Sequence, residues 1–445
     1  MAKRKTKKKT QKKEWNVELP KINVLAYCDS PTCATGFGTV SRNIFEGLFR
    51  TGRYNIDVLG INYWGDPHGF PYRIWPTGTN AERDPYGRKK VCGMIPQMNY
   101  DILFFLQDTF ILDFLPELIP FLRKNGKKFK SICYFPIDGV PKEQWIKNIS
   151  VVDYPVAYSK FGVEMAKKVY PEAPDFDIIP HGINIQDYHP LPEEQVSEFR
   201  ARYFGSQADK FIVTNLNRNQ QRKDIPRTIQ AFVEFRKHVP ESMLYLHMAE
   251  VDQGWNLPEV IKAYGLVHNK DVVFPKNFSV NQGYPRQIVN MIYNCSDLVV
   301  STTLGEGWGL SWSEAMATKT PIIVPDNTAL TEAISKDRGY LAKSGSDPSH
   351  FTVLPHDNEV IRPLVDVNDM VEKMLEVYND YDKAMEKAEN AYEWITTELA
   401  WGAEGKIVQR WVEVFDNMYE AYVEESAQPE PQFHEEEKEI EAEQF

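Results

Sequence analysis

The feature that most constrains the fold is an alternation, repeated twice, of short apolar runs with longer amphipathic segments. The first series of runs occupies residues 22–28, 55–61, 101–107, 130–136 and 154–159, and the second occupies residues 211–217, 243–249, 271–275, 297–302 and 320–325. Short runs that are apolar throughout are typical of strands buried in a parallel sheet. The sequence therefore predicts an α/β protein with two doubly wound domains facing a central cleft.

Amphipathic segments of helical length fill most intervals between these runs. They are residues 39–50, 112–124 and 160–169 in the first series and residues 225–238, 283–294, 310–318 and 328–335 in the second. Residues 369–396 and 407–425 are predicted to be long packing helices, since neither carries a sustained heptad repeat. The predicted boundaries are a basic disordered tail (1–20), an N-terminal domain (21–190), a C-terminal domain (205–400), a helix that packs back on the first domain (401–425) and an acidic tail (426–445).

Composition narrows the classes of protein to which the chain can belong. Of its 445 residues, 42% are hydrophobic and 26% charged, which is enough apolar content to bury sizeable cores. No apolar run approaches the roughly 18 residues of a membrane span. The five cysteines are scattered and lack metal-type pairs, so we expect a reducing, cytoplasmic location and neither a disulfide framework nor structural zinc.

The charge distribution leaves one contact open. The net charge of −12 gives no global signature of a nucleic-acid-binding protein, but residues 1–13 carry eight basic side chains and no acidic one. Such a tail can contact a polyanion such as DNA, or simply be solvated. The lysine-rich segment 123–130 lies between a predicted helix and the following strand, which places it opposite the cleft.

Residues 301–317, "STTLGEGWGLSWSEAMA", follow a predicted strand and enter a predicted helix. Gly307 and Gly309 would let the backbone approach a ligand, and the free N–H groups of the helix N-terminus favour an anion. Glu306 and Glu314 flank this turn, an arrangement that suits a phosphate attached to a hydroxyl-rich group. Alternatively, Glu314 simply complements the helix dipole.

Residues 215–232, "NLNRNQQRKDIPRTIQAF", form a second strand-to-helix loop. Arg218 offers a bidentate hold on phosphate and Lys223 a point charge, unless both are ordinary solvated side chains.

Together these motifs resemble the retaining glycosyltransferases of the GT-B fold, specifically glycosyltransferase family 4 (glycosyl transferases group 1). Glu306 and Glu314 match the E-x7-E signature, and "NRNQQRKD" is similar to the arginine-then-lysine pyrophosphate loop. The segment "IIPHGINIQDYHPL" (178–191) resembles the end of the family's N-terminal domain, with His181 and Asn184 replacing the common Asn and Asp. The resemblance implies two Rossmann-like domains, the first for the acceptor and the second for the nucleotide sugar.

The resemblance also implies roles for individual residues. Glu306 would hold sugar hydroxyls, Glu314 the ribose, and the backbone amides of Gly309 and Leu310 the diphosphate, while Arg218 and Lys223 would neutralise the leaving group. The implied reaction retains the anomeric configuration and needs neither metal nor cofactor. The implied catalytic residues are Glu306, Asp138, Arg218 and Lys223, and the implied donor-binding residues are Gly36, Gly38, Arg218, Lys223, Glu306, Gly307, Trp308, Gly309, Leu310 and Glu314.

Two parts of the N-terminal domain concern the acceptor. The family often has a histidine after the strand that corresponds to residues 130–136; here Asp138 takes that place, either to position or deprotonate the acceptor hydroxyl or to cap a helix starting near Pro141. Residues 62–100 form an aromatic and basic insertion, interpreted either as a functional loop or as a small β-excursion. Its candidate acceptor residues are Trp64, Tyr72, Arg73, Trp75 and Arg83.

The acceptor itself stays open between a hydroxymethylated base of DNA and a glycan or small molecule. Other functions compatible with the fold are nucleotide-sugar epimerisation, sugar phosphorolysis and non-catalytic nucleic-acid binding. A nicotinamide-dependent oxidoreductase is disfavoured, because "GFGTVS" is not GxGxxG and its first glycine lies about eight residues past the strand.

Overall fold

A computed structural model describes residues 21–78, 84–279, 283–402 and 405–427. The predicted tails, residues 1–20 and most of 426–445, lie outside these ranges. The described chain forms two parallel sheets, each covered by helices, as the alternation of apolar and amphipathic segments predicts.

The N-terminal sheet has seven parallel strands in the order β3-β2-β1-β4-β5-β6-β7. Its strands are β1 (Ile22–Asp29), β2 (Tyr54–Ile61), β3 (Arg73–Pro76), β4 (Ile102–Leu106), β5 (Lys130–Phe135), β6 (Tyr154–Ala157) and β7 (Asp177–Ile178). Its helices are α1 (Gly36–Arg50), α2 (Arg88–Met94), α3 (Leu115–Lys124), α4 (Glu143–Ile149) and α5 (Lys160–Val169). The strand order reverses between β1 and β4, which makes that point the expected ligand crevice of the sheet.

The C-terminal sheet has six parallel strands in the order β10-β9-β8-β11-β12-β13. They are β8 (Phe211–Asn215), β9 (Ser242–Leu246), β10 (Val272–Val273), β11 (Leu298–Val300), β12 (Ile322–Pro325) and β13 (Tyr340–Ala342). The helices are α6 (Glu193–Phe204), α7 (Ile225–His238), α8 (Leu257–Ala263), α9 (Arg286–Asn294), α10 (Leu310–Ala317), α11 (Leu330–Ala333), α12 (Val367–Asn379) and α13 (Tyr381–Glu398). A separate antiparallel hairpin, β14 (Phe351–Val353) and β15 (Ile361–Pro363), joins β13 to α12.

The prediction of a single helix over residues 369–396 is wrong, because the structure has two helices there, α12 and α13, separated by Asp380. Asp380 leaves the helical conformation there, with φ −135° and ψ 68°, and its side chain accepts a hydrogen bond from the backbone N–H of Lys383. A side chain that caps a helix start in this way favours a new helix over continuation of the old one.

The described part of the insertion 62–100 contains a small β-excursion, one of the two interpretations of this segment. Its strand β3 extends the sheet in parallel with β2, pairing Val58 with Ile74. Helix α6 (Glu193–Phe204), which precedes the predicted start of the C-terminal domain at residue 205, packs on that domain, where Arg200 forms an ion pair of 2.9 Å with Asp297.

The chain passes between the two domains twice, and the two crossings lie side by side. The backbone N–H of Ile183 donates to the carbonyl of Leu399 at 2.6 Å, and that of Trp401 donates to the carbonyl of Ile183 at 2.9 Å. Beyond the second crossing, α14 (Lys406–Ala427) returns to the first sheet, where Trp411 packs edge-on against Tyr134. The final helix thus completes the core of the first domain.

Candidate active site

The centre of the site is the turn that connects β11 to α10. It follows the point where the strand order of the C-terminal sheet reverses, between β8 and β11. Gly309 ends the turn with φ 93°, a backbone conformation that side chains other than hydrogen rarely adopt. An added Cβ at Gly307 would lie 2.6 Å from the Cβ of Pro136 in the other domain. The turn is therefore glycine-rich because it is sharp and because the first domain packs directly on it.

The loop after β8 is fastened to this turn by hydrogen bonds to its backbone. The N–H of Leu304 donates to the carbonyl of Arg222 at 2.8 Å, and the hydroxyl of Thr302 donates to the carbonyl of Asp224, also at 2.8 Å. Asp224 has φ 44°, so the chain reverses at this residue before α7 begins. These contacts direct the side chains of Arg222 and Lys223 towards Glu306.

Glu306 is buried between two cations. Lys223 forms an ion pair with one of its oxygens, and Nη1 of Arg222 lies 3.4 Å from the other. Burial alone would oppose ionisation of this carboxyl group. The charges of Lys223 and Arg222 outweigh burial and lower the pKa of Glu306 to about 2. Glu306 is therefore a carboxylate throughout the physiological range.

Glu314 lies in the second turn of α10 in a different environment. The hydroxyl of Tyr293 donates to it at 2.7 Å, and Tyr188 also hydrogen-bonds to it. Burial raises the pKa of Glu314 to about 7, despite these hydrogen bonds and with a further contribution from the charge of Asp187. Asp187 is in turn ion-paired with Arg286. Glu314 can thus be protonated or ionised near neutral pH, and small changes at the site will decide which.

The first domain brings a second pair of carboxyl groups to the same place. Asp138, just beyond β5, is 3.2 Å from Arg222 and 3.0 Å from Arg362. Although it is partly buried, these two cations lower its pKa. Asp108, just beyond β4, has a pKa raised to about 7 by burial and by the charge of Asp138. The two domains therefore meet through Asp138, whose carbonyl lies so close to Gly305 that an added Cβ there would be 2.1 Å away.

The capping alternative for Asp138 is wrong. Helix α4 begins at Glu143, and the residue before it, Lys142, makes no side-chain capping bond. The carboxylate of Asp138 is engaged instead by the two arginines of the other domain.

The lysine-rich segment 123–130 lies at the amino end of β5, away from the cleft, where Lys130 pairs with Glu425.

The remaining predicted donor-site residues fall into two groups. Gly36 opens α1 and faces the cleft, since its Cβ position is 3.7 Å from Leu310 of α10. Gly38 is needed for packing, because an added Cβ would lie 2.7 Å from the carbonyl of Cys33. Trp308 is buried against Trp312, with ring centroids 5.1 Å apart. Leu310 and Gly36 thus lie where the N-termini of α10 and α1 approach each other. Gly38 and Trp308, by contrast, are packed against neighbouring residues of the protein.

Arg218 and Lys223 do not meet in this structure. The guanidinium of Arg218 is bound by Asp252, with Nε 2.7 Å from a carboxylate oxygen, and its side chain is 41% exposed. The cation beside Lys223 is Arg222, four residues closer to it in sequence.

The candidate acceptor residues of the insertion are mostly engaged within the first domain. Tyr72 is buried and stacks on Phe70 at 5.4 Å, and Trp75 donates from Nε1 to Asp57 at 2.9 Å. Arg73 lies over the ring of Trp75. Trp64 is 57% exposed and thus accessible, while Arg83 lies outside the described residues.

Five residues of the site were missed by sequence reasoning: Arg222, Arg362, Asp108, Tyr188 and Tyr293. Asp108 carried a usable signal, because it follows a buried strand next to the switch point, as Asp138 follows the next one. Nothing in the sequence marked Arg362 or the tyrosines, whose partners are distant along the chain.

Among the residues that the structure describes, no cluster of three or more His, Cys, Asp or Glu side chains is arranged to hold a metal ion. No helix in the described ranges has the length and apolarity to span a membrane.

Comparison with known proteins finds glycosyltransferases that are similar to this chain. Residues 197–394 match the model of the family described as glycosyl transferases group 1. An alpha-monoglucosyldiacylglycerol synthase of Acholeplasma laidlawii is 28% identical over 153 residues, which are 34% of this chain and 36% of the relative. The alpha-1,3/1,6-mannosyltransferase ALG2 of Mus musculus is 24% identical over 255 residues, 53% of this chain and 56% of the relative. The alignments thus span about a third to a little over half of these relatives.

Solved structures extend the likeness to the whole fold. HepE of Anabaena, in complex with UDP and glucose, superposes with a TM-score of 0.66 at 16% identity, covering 89% of this chain and all of the other. Sucrose-phosphate synthase of Thermosynechococcus elongatus superposes with a TM-score of 0.69 at 17% identity, covering 90% of this chain and all of the other. The two sheets and the cleft thus form the GT-B fold, and residues 197–394 match the glycosyl transferases group 1 family.

Proposed function

We propose that the protein is a retaining glycosyltransferase that moves a sugar from a UDP- or GDP-sugar to an acceptor hydroxyl without a metal ion. The observation that carries this proposal is the position of Glu306. It is an ionised carboxylate, held by Lys223 and Arg222 in the turn just before α10 and connected to Asp138 of the other domain through Arg222. Anion-binding N–H groups, cations and hydroxyl-binding carboxylates are what a nucleotide diphosphate sugar requires.

In this proposal the donor lies along the N-terminus of α10. Glu306 binds sugar hydroxyls at one end and Glu314 binds the ribose at the other, with the diphosphate on the amides of Gly309 and Leu310. Lys223 and Arg222 supply positive charge where the leaving group becomes more negative, and Arg218 joins them on exchanging Asp252 for the diphosphate. Preorganised cations of this kind can replace a metal ion as the source of electrostatic stabilisation.

The chemical step exchanges one bond for another at the anomeric carbon. The acceptor oxygen bonds to that carbon on the face from which the diphosphate departs, and the electron pair of the broken C–O bond leaves with the diphosphate. Before the step, Asp138 accepts a hydrogen bond from the acceptor hydroxyl and orients it; as the new C–O bond forms, that same proton passes to a departing phosphate oxygen. A carboxylate with a lowered pKa suits orientation better than proton removal.

The relatives favour particular test substrates. The name of the Acholeplasma relative describes a glycolipid synthase, that of the mouse relative a mannosyltransferase, and HepE holds UDP and glucose. We therefore propose UDP-glucose and GDP-mannose as the first donors and a glycan, lipid or small-molecule alcohol as the acceptor. A hydroxymethylated base of DNA has weaker support, because Arg73 and Arg88 of the insertion already pair with Asp57 and Asp113. A cytoplasmic location, favoured by the free cysteines, belongs to the same proposal.

The decisive experiment is a panel of nucleotide sugars scored by thermal shift and by release of the nucleoside diphosphate. We expect one donor to stabilise the protein and to be turned over slowly in water and faster with an acceptor. Mass spectrometry against glycan, lipid, protein and hydroxymethylated-DNA acceptors would then identify the product. Epimerisation of the donor, or sugar phosphate formed from inorganic phosphate, would replace this proposal with one of the other reactions. Absence of any turnover, together with DNA binding, would favour a non-catalytic function.

A further inference from the structure

The β14–β15 hairpin has two dissimilar faces. Phe351, Val353 and Ile361 point outward and are 45%, 52% and 63% exposed. Arg362 points inward, and only 3% of its side chain is exposed. An arginine is rarely buried to this extent unless other groups satisfy its charge and its donors.

Arg362 joins the hairpin to the opposite domain. Its Nε and Nη2 bind the two oxygens of Asp357 at 2.7 and 3.0 Å, a bidentate contact within the hairpin loop. Its Nη1 donates to the carbonyl and the carboxylate of Asp138. Asp357 thus fixes the orientation of the guanidinium, and the guanidinium fixes that of Asp138.

Other hairpin residues pack on the loop that carries Asp138. An added Cβ at Gly139 would lie 2.8 Å from a methyl carbon of Val360 and 2.9 Å from Nη1 of Arg362, so the contact leaves no room for a side chain. At the rim, Glu359 forms an ion pair of 2.6 Å with Lys142. The hairpin therefore touches the first domain through apolar, charged and backbone contacts together.

Beneath this contact lies a small cavity at the carboxyl ends of β4 and β5. Its walls include the carboxyl groups of Asp108 and Asp138 and the rings of Phe110 and Trp145, and Val360 covers it from the hairpin. Its volume is about 30 Å³, which is room for roughly two water molecules. A group of that size that suits carboxylates and aromatic walls is a hydroxyl on a slim carbon arm.

The charges around the cavity disfavour an anionic occupant. Among the described residues that line the cavity, none is a lysine or an arginine. The nearby cations Arg222 and Arg362 are bound to Asp138, and Lys142 is bound to Glu359. A phosphate placed in this cavity would face two carboxyl groups with no free cation lining the walls.

We propose that the β14–β15 hairpin completes the acceptor site from the donor domain, with Arg362 as the positioning residue for Asp138 and Val360 limiting the cavity to an uncharged, slim hydroxyl-bearing group. This inference rests on the proposed glycosyl transfer and adds the acceptor side to it. Asp138 touches the acceptor hydroxyl, whereas Arg362 acts through Asp138. The groups that face Asp138 are Arg222, Arg362, Glu306 and Asp108.

The test uses the full chain and the donor that the wild-type protein turns over in the panel. Variants Arg362→Gln, Arg362→Lys and Val360→Ala are compared with Ile361→Thr, a control on the outward face of the same hairpin. Each is assayed for hydrolysis of the donor and for transfer to ethanol and to 2-propanol, two uncharged acceptors that differ in bulk beside the hydroxyl. Thermal unfolding is recorded for all four.

We expect Arg362→Gln to lower transfer to ethanol at least tenfold, while the KM for the donor and its hydrolysis stay within about twofold of wild type. Its acid limb for transfer should move to higher pH, because loss of a cation raises the pKa of Asp138. Arg362→Lys should recover part of the transfer. Val360→Ala should reduce the preference for ethanol over 2-propanol at least threefold, and Ile361→Thr should resemble wild type in every assay.

Three results would overturn the inference while the proposed function stands. The first is unchanged transfer in Arg362→Gln. The second is a lower melting temperature in all hairpin variants, with hydrolysis and transfer reduced equally. The third is an unchanged preference for ethanol over 2-propanol in Val360→Ala. If the wild-type protein releases no nucleotide from any donor, the proposed function itself falls and the inference falls with it.

Discussion

Glu306 and Glu314 lie before and within the same short helix, yet the protein shifts their ionisation in opposite directions. Lys223 and Arg222 hold the pKa of Glu306 at about 2, whereas burial next to Tyr293 raises that of Glu314 to about 7. One carboxyl group is permanently charged, and the other changes charge near neutrality. Two acidic groups with separated pKa values are typical of functional sites, because they can take different roles at one pH.

Replacing Glu306 should affect both activity and stability. In Glu306→Gln the paired cations lose their carboxylate, so we expect donor turnover to fall by two to three orders of magnitude. Since Lys223 would remain buried without its partner, the free energy of unfolding should fall by about 3 kcal/mol. Turnover assays and urea denaturation measure the two effects, and circular dichroism should show an intact fold. Turnover close to that of wild type would contradict the role assigned to Glu306.

The raised pKa of Glu314 predicts a pH dependence of stability. Between about pH 4.5 and 7 the folded protein binds more protons at this group than the unfolded chain does, so its contribution to the free energy of unfolding falls as pH rises. Asp108 acts in the same direction, so the wild-type slope alone is not diagnostic. The difference between wild type and Glu314→Gln in urea denaturation at pH 5 and pH 7.5 isolates Glu314. We expect the variant to lose less stability over this interval; equal losses would show that Glu314 titrates normally.

Arg218 and Arg222 can be separated by their pH profiles. Arg222→Gln and Arg218→Gln should both slow transfer, since each removes a cation proposed for the leaving diphosphate. Only Arg222 also contacts Asp138, where it lowers the pKa. We therefore expect the acid limb of the pH–rate profile to move to higher pH in Arg222→Gln and to stay in place in Arg218→Gln. Identical profiles in the two variants would contradict this distinction.

Gly305 offers a test of how closely the domains must approach. An alanine Cβ there would lie 2.1 Å from the backbone carbonyl of Asp138, so Gly305→Ala should hold the domains apart. Small-angle scattering should then show a larger radius of gyration, and transfer should fall at least a hundredfold. Gly93→Ala is the matched control, because its Cβ would meet no atom within 4 Å. If both variants scatter alike and remain active, the close approach at Asp138 is not needed for catalysis.

The sheets could be predicted from sequence because their strands are continuous apolar runs. The segments 22–28 and 211–217, for example, become β1 and β8 almost unchanged. The turn around Glu306 was also predictable, since its glycines, its helix start and its position after a strand are all local properties. Features set by a few neighbouring residues can be read from the sequence alone.

The parts that escaped prediction depend on contacts between distant residues. Arg362 and its partner Asp138 are 224 positions apart, and no local pattern links them. The choice of Arg222 over Arg218 beside Glu306 depends on hydrogen bonds that fasten one loop to another. The break at Asp380 was missed for the opposite reason, because its capping bond is local but the apolar periodicity on both sides hid it.

The paired crossings at Ile183 and Leu399–Trp401 constrain how the cleft can open. A single connecting segment would let the domains twist as well as bend. Two connecting segments that are hydrogen-bonded to each other resist twisting and act as one hinge axis. Because α14 (Lys406–Ala427) returns to the first domain, cutting the chain near residue 402 would free one of the two connecting segments and disconnect the whole of α14 from the second domain. The domains would then no longer open about one fixed axis. Closing the cleft would no longer be sufficient to bring Arg222 and Arg362 back to Asp138.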